Sequence, residues 1–248
     1  MISIENKVIG EITILEIVKE EQAQQELPTV FFYHGWESYK ERVLEEAYQL
    51  AKANFRVILP DAFKHGERKS NENIGPLLFW EVVKHTIDEF SMISDYYIQK
   101  GKTIAQRVAV SGLSMGGMIA SGIINQYDWV HSAAILMGSP SPVEFTEWLL
   151  KNSFSQYEIE KQEIKDQLKE LEAISLNMNP ENINGRFIYF WHDLNDKIVP
   201  AKFTKKFVEK HEKEDYGKNI SLELSNGRGH KVPGEIIFKM AKYFEGYL

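Results

Sequence analysis

Residues 107–124 read Arg107-Val-Ala-Val-Ser-Gly112-Leu-Ser114-Met-Gly116-Gly117-Met-Ile-Ala-Ser-Gly122-Ile-Ile124, and this stretch decides the fold. Val108, Ala109 and Val110 form the apolar, β-branched run of a buried strand. The run enters Gly112-Leu113-Ser114-Met115-Gly116, the pattern G-x-S-x-G, and the small and apolar residues that follow suit a helix packed against a sheet. Such a serine sits on a sharp strand-to-helix turn, with its hydroxyl above the sheet edge. Glycines flank it because a side chain there would collide with the neighbouring strand or helix. The helix N-terminus offers unpaired N–H groups and a positive dipole end to a developing anion. Ser114 is therefore a candidate nucleophile. The pentapeptide alone also fits a glycine-rich turn that serves only compactness, so the rest of the chain has to decide.

Working outward, residues 2–18 suggest a pair of strands, with Asn6-Lys7 or Gly10 as the turn. Residues 29–33 form a short strand ending at His34-Gly35-Trp36. Residues 39–53 place Val43, Leu44, Ala47, Leu50 and Ala51 on one helical face. Residues 55–59 give the next strand, stopped by Pro60-Asp61. Gly75-Pro76 opens a long helix to about Gln99, with proline where a helix start tolerates it. Strands follow at 107–111, 133–137, 186–191 and 220–224, and helices at 202–213 and 233–247. Strand and helix alternate, so the expectation is an α/β fold with a mostly parallel central sheet and helices on both faces.

The alternation lapses between 142 and 185. There Trp148-Leu149-Leu150 precedes a charged helical stretch, 157–174, with Ile164, Leu168 and Leu171 along one stripe. Residues 142–185 read as a small helical cap inserted into a single domain spanning 1–248, since a plain crossover rarely needs so many residues. As a cap it would bring Phe145, Trp148 and Leu149 to the substrate pocket. A crossover helix with one solvated face is the alternative.

Composition narrows the classes. The chain has 248 residues, 43% of them hydrophobic, which suffices for one large α/β domain with a sizeable core. A formal charge of −7 argues against a nucleic-acid surface, which needs clustered Lys and Arg. There is no cysteine, hence no disulfide, thiolate nucleophile or cysteine-based metal site, as suits a reducing cytosol. No charged leader with an apolar core is visible at the start, and the uncharged stretch 108–124 is short and glycine-rich for a membrane span. A soluble, cytoplasmic protein without membrane partners is expected.

A serine hydroxyl needs a base to take its proton and a carboxylate to orient that base. On this architecture the order along the chain is serine, acid, histidine. Past the strand at 186–191 comes His192-Asp193-Leu194-Asn195-Asp196-Lys197-Ile198-Val199-Pro200, on the carboxyl edge of the sheet, where α/β sites assemble. Asp196 is the chosen acid and Asp193 its competitor. Past the strand at 220–224, Ser225-Asn226-Gly227-Arg228-Gly229-His230 delivers His230 as the candidate base. A tetrahedral intermediate also needs two N–H donors. Met115, the residue after the serine, supplies one, and Trp36, where Gly35 permits close backbone approach, supplies the other. His34, His65, His192 and Asp193 lack the close spacing of a helical zinc motif, and no phosphate loop or dinucleotide fingerprint is present. Neither metal nor organic cofactor is expected.

Together, the strand entering His34-Gly35, the Gly112–Gly117 turn, Asp196-x-x-Val199-Pro200 and Gly229-His230 resemble the α/β-hydrolase superfamily. The likeness is to small bacterial esterases of the prolyl-oligopeptidase and dienelactone-hydrolase branch. It covers the chain from about Val30 onward and implies the α/β-hydrolase fold. In that branch an aspartate followed by x-x-Val-Pro supplies the acid, which favours Asp196 over Asp193. The loop Pro60-Asp61-Ala-Phe-Lys-His65-Gly66-Glu67-Arg68 is similar too, and implies a structural role for Asp61, His65 and Arg68. Unlike dienelactone hydrolases this chain has no cysteine nucleophile, and it is too short for the extra domain of oligopeptidases. The reading is a serine carboxylesterase acting on esters of small acids as small-molecule substrates. A peptidase or thioesterase with the same triad, and a non-catalytic binding protein on the same scaffold, are the rivals.

Overall fold

A computed structural model of the chain describes residues 1–69, 78–153 and 157–248. Eight strands form one sheet: β1 (Ile2–Ile9), β2 (Ile12–Lys19), β3 (Leu27–Tyr33), β4 (Arg56–Pro60), β5 (Thr103–Leu113), β6 (Ser132–Leu136), β7 (Phe187–Asp193) and β8 (Ile220–Ser225). Their spatial order is β1-β2-β4-β3-β5-β6-β7-β8. β2 pairs antiparallel with β1 and with β4, and every later pairing is parallel. Gly10, at φ +61°, makes the β1–β2 turn, whereas Asn6 and Lys7 lie within β1.

Period-two alternation sends successive side chains to opposite faces. Phe31, Val108, Val110, Ile135 and Phe190 join one core, and Val30, Phe32, Ala109, Leu136 and Trp191 the other. The second core is covered by α1 (Leu44–Lys52) and α8 (Gly234–Tyr247). The first is covered by α2 (Leu78–Asp88), α3 (Phe90–Gln99), α4 (Met115–Gln126), the end of α6 (Lys161–Ile174) and α7 (Lys202–His211), with α5 (Pro142–Asn152) contributing Phe145. The mostly parallel α/β sheet with helices on both faces is thus present.

Several elements differ from the sequence reading. The expected helix to Gln99 is two helices joined at Glu89, whose carboxylate is held 2.5 Å from the Arg68 guanidinium; the expected start at Gly75-Pro76 lies outside the described residues. The expected helix at 39–53 begins as a 3-10 turn, Lys40–Val43, because Asp61 accepts the Lys40 N–H at 3.0 Å. β5 starts at Thr103, well before Arg107. Residues 104–107 leave the regular ladder, since the partner of β3 jumps from Thr103 to Val108.

Within residues 142–185, α6 follows its apolar stripe. Ile164 and Leu168 are half-buried, and Leu171 and Ile174 are buried against the α4 face. Asn125 on α4 donates to the Ala173 carbonyl at 2.7 Å, and the 3-10 turn Pro180–Ile183 returns the chain to β7. The far end of α6 is therefore seated on the sheet's helical layer.

Candidate active site

The strand-turn-helix stretch produces a strained turn. Ser114, between β5 and α4, has φ +58° and ψ −118°, a backbone state that persists only when its surroundings impose it. The imposition comes from close packing. A Cβ on Gly116 would stand 2.0 Å from the Tyr33 carbonyl oxygen, and one on Gly112 would stand 2.4 Å from the Gly116 carbonyl. Only glycine admits both approaches. The Ser114 N–H donates to Leu136 O at 2.9 Å, anchoring the turn to β6.

The two loops beyond β7 and β8 meet this serine. His230 Nε2 lies 2.9 Å from Ser114 Oγ, and His230 Nδ1 lies 2.7 Å from Asp196 Oδ2. An ionised carboxylate can only accept, so Nδ1 carries the proton toward Asp196 and Nε2 is free to accept the Ser114 hydroxyl. The other Asp196 oxygen accepts the N–H groups of Ile198 at 2.9 Å and Val199 at 3.0 Å. Burial alone would raise the Asp196 pKa, but hydrogen bonds from His192, His230 and Val199 N–H hold it well below the ordinary carboxylate range. The acid is ionised at neutral pH and its geometry is fixed from both ends.

Asp193 stands at the end of β7, fully buried, and touches neither Ser114 nor the imidazole of His230; it binds Ser225, Arg228, Gly229 and Asn195. His192 is buried behind the acid. Its Nε2 donates to Val199 O at 2.7 Å and stands 3.4 Å from Asp196 Oδ2, while Nδ1 meets the Thr204 hydroxyl at 3.1 Å. The sequence reading missed this support. The available signal was a histidine closing an apolar strand four residues before the chosen acid.

The β3 end supplies the facing wall. A Cβ on Gly35 would lie 3.7 Å from the Ser114 Cβ, so the backbone at Gly35–Trp36 runs beside the nucleophile. Trp36 rests edge-on against His65, with ring centroids 4.9 Å apart, and tilts against Phe79. Met115 opens α4, in the first turn, where N–H groups lack intrahelical partners.

The loop 60–68 ties this wall in place. Asp61 accepts from Lys40 N–H, the Lys40 ammonium at 2.8 Å and the Thr13 hydroxyl at 2.8 Å. His34 Nε2 accepts Ala62 N–H at 3.0 Å, and His65 Nε2 accepts Glu37 N–H at 3.1 Å. Both histidines are therefore neutral acceptors; burial lowers the His34 pKa to about 4 and lowers that of His65 as well. Arg68 Nη1 donates to Asp61 O at 3.1 Å. Their ring nitrogens being so engaged, His34 and His65 are brought together with neither His192 nor Asp193, and among the described residues no three His, Asp or Glu groups stand ready for a metal.

The three residues assigned to the pocket are in unequal positions. Phe145 is buried among Trp80, Trp148 and Phe203, stacking on Trp148 at 5.9 Å. Trp148 and Leu149 are half-buried and keep exposed surface.

Comparison with known proteins agrees with this architecture. The family described as "Serine aminopeptidase, S33" matches residues 24–187, a span that contains Trp36, Ser114 and Met115 and ends before Asp196 and His230. Over the whole chain and the whole relative, the protein is 34% identical to "Putative esterase YitV" of Bacillus subtilis (strain 168). It is 27% identical, again over both full lengths, to "Esterase YjfP" of Escherichia coli (strain K12). Among solved structures, TT1662 from Thermus thermophilus superposes with a TM-score of 0.77 at 17% identity, covering 100% of this chain and 98% of that one.

Proposed function

Since the chain belongs to the serine aminopeptidase S33 family, within the α/β-hydrolase superfamily, we propose that it is a serine carboxylesterase that cleaves esters of small acids through Ser114, His230 and Asp196. The observation that carries the reading is the continuous relay from Ser114 Oγ through the imidazole to Asp196, at 2.9 and 2.7 Å. The names of the two full-length relatives support ester substrates.

The chemistry follows from the relay. His230 Nε2 takes the hydroxyl proton as Ser114 Oγ bonds to the ester carbonyl carbon, and the carbonyl oxygen becomes an oxyanion. The N–H groups of Trp36 and Met115 receive that charge. Asp196 keeps the imidazole in the required tautomer and stabilises its cationic form. The carbon–oxygen bond to the alcohol breaks, His230 protonates the leaving oxygen, and water, activated by the same nitrogen, releases the acid and restores Ser114. Trp148 and Leu149, on the capping segment 142–185, line the route of the acyl or alcohol group. Among the described residues no helix is long and apolar enough to cross a membrane, and we place the protein in the cytoplasm on its lack of cysteine.

The family's description raises a second reading, a peptidase with the same machinery. It would have to protonate an amine leaving group and hold a peptide terminus. A fluorophosphonate probe combined with paired substrates separates these. The esterase reading requires covalent labelling of the parent protein, loss of labelling in Ser114→Ala, and faster turnover of p-nitrophenyl acetate and butyrate than of aminoacyl p-nitroanilides. Faster cleavage of the anilides would replace it with the peptidase, and an unlabelled protein without turnover would leave a binding module.

A further inference from the structure

Two aspartates stand three residues apart in the loop after β7, and only one reaches the imidazole. Asp193 is the last residue of β7 and lies opposite Ser225, the last residue of β8. Its carboxylate is wholly buried, yet among the described residues it pairs with no cation; the four donors that reach it are uncharged. Oδ2 accepts the Ser225 hydroxyl at 2.8 Å and the Arg228 N–H at 3.0 Å. Oδ1 accepts the Gly229 N–H at 3.0 Å and the Asn195 N–H at 2.9 Å. Two of these donors, Arg228 and Gly229, belong to the loop carrying His230, Ser225 ends the strand that leads into it, and Asn195 belongs to the loop carrying Asp196.

Much of the loop so held is open to solvent. Asn226, Gly227 and Arg228 are exposed. Gly227 has φ +92° with nothing within 4 Å of a Cβ position, and Gly229 has φ +65° with only Asn195 O as near as 4.0 Å. Glycines of this kind leave a free chain many conformations. Gly229 is nevertheless pinned directly to Asp193, and the next residue is His230.

We propose that Asp193 is a positioning residue: its carboxylate joins the acid loop to the histidine loop and thereby sets the His230 imidazole between Ser114 and Asp196. The inference rests on the triad reading above. The donor set accounts for the residue type. Four donors converge on two oxygens, so an acceptor-only group is required, and an amide would turn its own N–H groups toward them. Burial alone would raise the Asp193 pKa, and the Ser225 hydroxyl with the N–H groups of Arg228, Asn195 and Gly229 brings it down to about 2. The anion is thus present throughout the neutral range. Asp196 spends an oxygen on the base; Asp193 spends both on the backbone and hydroxyl that deliver the base.

The test is a double-mutant cycle with His230. In the otherwise native protein, Asp193→Asn should lower kcat for p-nitrophenyl acetate by about 10²-fold, the scale of a 1 Å misplacement of a reacting group. KM should change less than about threefold, and the fluorophosphonate labelling rate should fall in step with kcat. In a His230→Ala background the same change should leave the residual rate unaltered, because no imidazole remains to be positioned. Ser225→Ala removes one donor and keeps the carboxylate. It should run the same cycle at about threefold amplitude, and it decides the matter if Asp193→Asn does not fold. A drop in melting temperature with kcat unchanged, or an equal loss in the His230→Ala background, would overturn the positioning role. Near-normal turnover by Ser114→Ala would instead sink the triad on which it rests; a dead Ser114→Ala with an additive cycle removes Asp193 alone.

Discussion

α4 and α6 pack against each other on the same face of the sheet and are built on opposite principles. α4 is buried from Met115 to Asn125 and carries no charged side chain. α6 buries only Leu171 and Ile174 and leaves its charges to solvent. The first is wedged so closely between sheet and helices that glycine is compulsory at its start, where Gly116 faces the Tyr33 carbonyl. The second is fastened at one end, through Asn125 and the Ala173 carbonyl. An element that aims a reacting atom tolerates almost no displacement, whereas one that shapes the approach to that atom can vary without disturbing it. On the function proposed above, the difference would suit chemistry invested in the elbow and selectivity in the segment 142–185.

Substitutions on the two sides should separate by magnitude and by kind. The largest effect belongs to the elbow. Ser114→Ala should lower kcat for ester hydrolysis on the order of 10⁶-fold and abolish phosphonate labelling, with an unchanged thermal unfolding curve. Turnover near that of the parent would break the comparison at its root.

Next comes the acid. Asp196→Asn should lower kcat about 10⁴-fold by favouring the wrong imidazole tautomer. Asp193→Asn should be milder by about two orders of magnitude, and the reverse order, read from steady-state kinetics, would mean that the acid has been misassigned.

A third effect concerns the wall beside the elbow and is one of stability. Buried His34 has its pKa lowered to about 4. Above about pH 6.5 the residue is neutral in folded and unfolded chains alike. As pH falls from there toward 4, the unfolded chain binds a proton that the folded one refuses, so stability declines by about 3 kcal/mol and then levels off. His34→Gln cannot titrate. The stability gap between parent and variant, measured by urea unfolding, should therefore shrink by about that amount between pH 7.5 and 4. A constant gap would show that His34 takes up its proton while folded.

The smallest effect belongs to the segment 142–185. Trp148→Ala should reorder preference among ester chain lengths by about 1–3 kcal/mol in log kcat/KM, while labelling of Ser114 persists. An unchanged ranking with a lower melting temperature would make the segment a plain crossover and sharpen the contrast differently, since α5 and α6 would then serve packing alone.

The same contrast explains what could be read from the residues. The elbow was legible because backbone collisions dictate its glycines, and the alternation in β3, β6 and β7 was legible because two buried faces enforce period two. The resemblance to esterases whose acid precedes x-x-Val-Pro favoured Asp196 over Asp193, and the structure brings Asp196, not Asp193, to the imidazole. Features that depend on partners distant in sequence were hidden. The break at Glu89 goes with its pairing to Arg68, the bulge before Val108 with the register of β3, and the seat of α6 with Asn125. Asp193 read only as a competitor for the acid because three of its four donors, Ser225, Arg228 and Gly229, lie more than thirty residues away, beyond another helix and strand. Lys40 was obscure for the same reason: nothing local announces a buried ammonium whose partners, Asp61 and Glu67, arrive from another loop.

The span of the relay along the chain has a temporal consequence. Ser114 and His230 are 116 positions apart, and Asp196 and His230 are 34 apart. The elbow can be made, and its strand docked beside β3, while the base has yet to be synthesised. At roughly 5–20 residues per second, the ribosome thus spends several seconds displaying a serine that has no proton acceptor. On the proposed mechanism, reactivity would begin only with the docking of β8, the outermost parallel strand, which leads into the loop of His230.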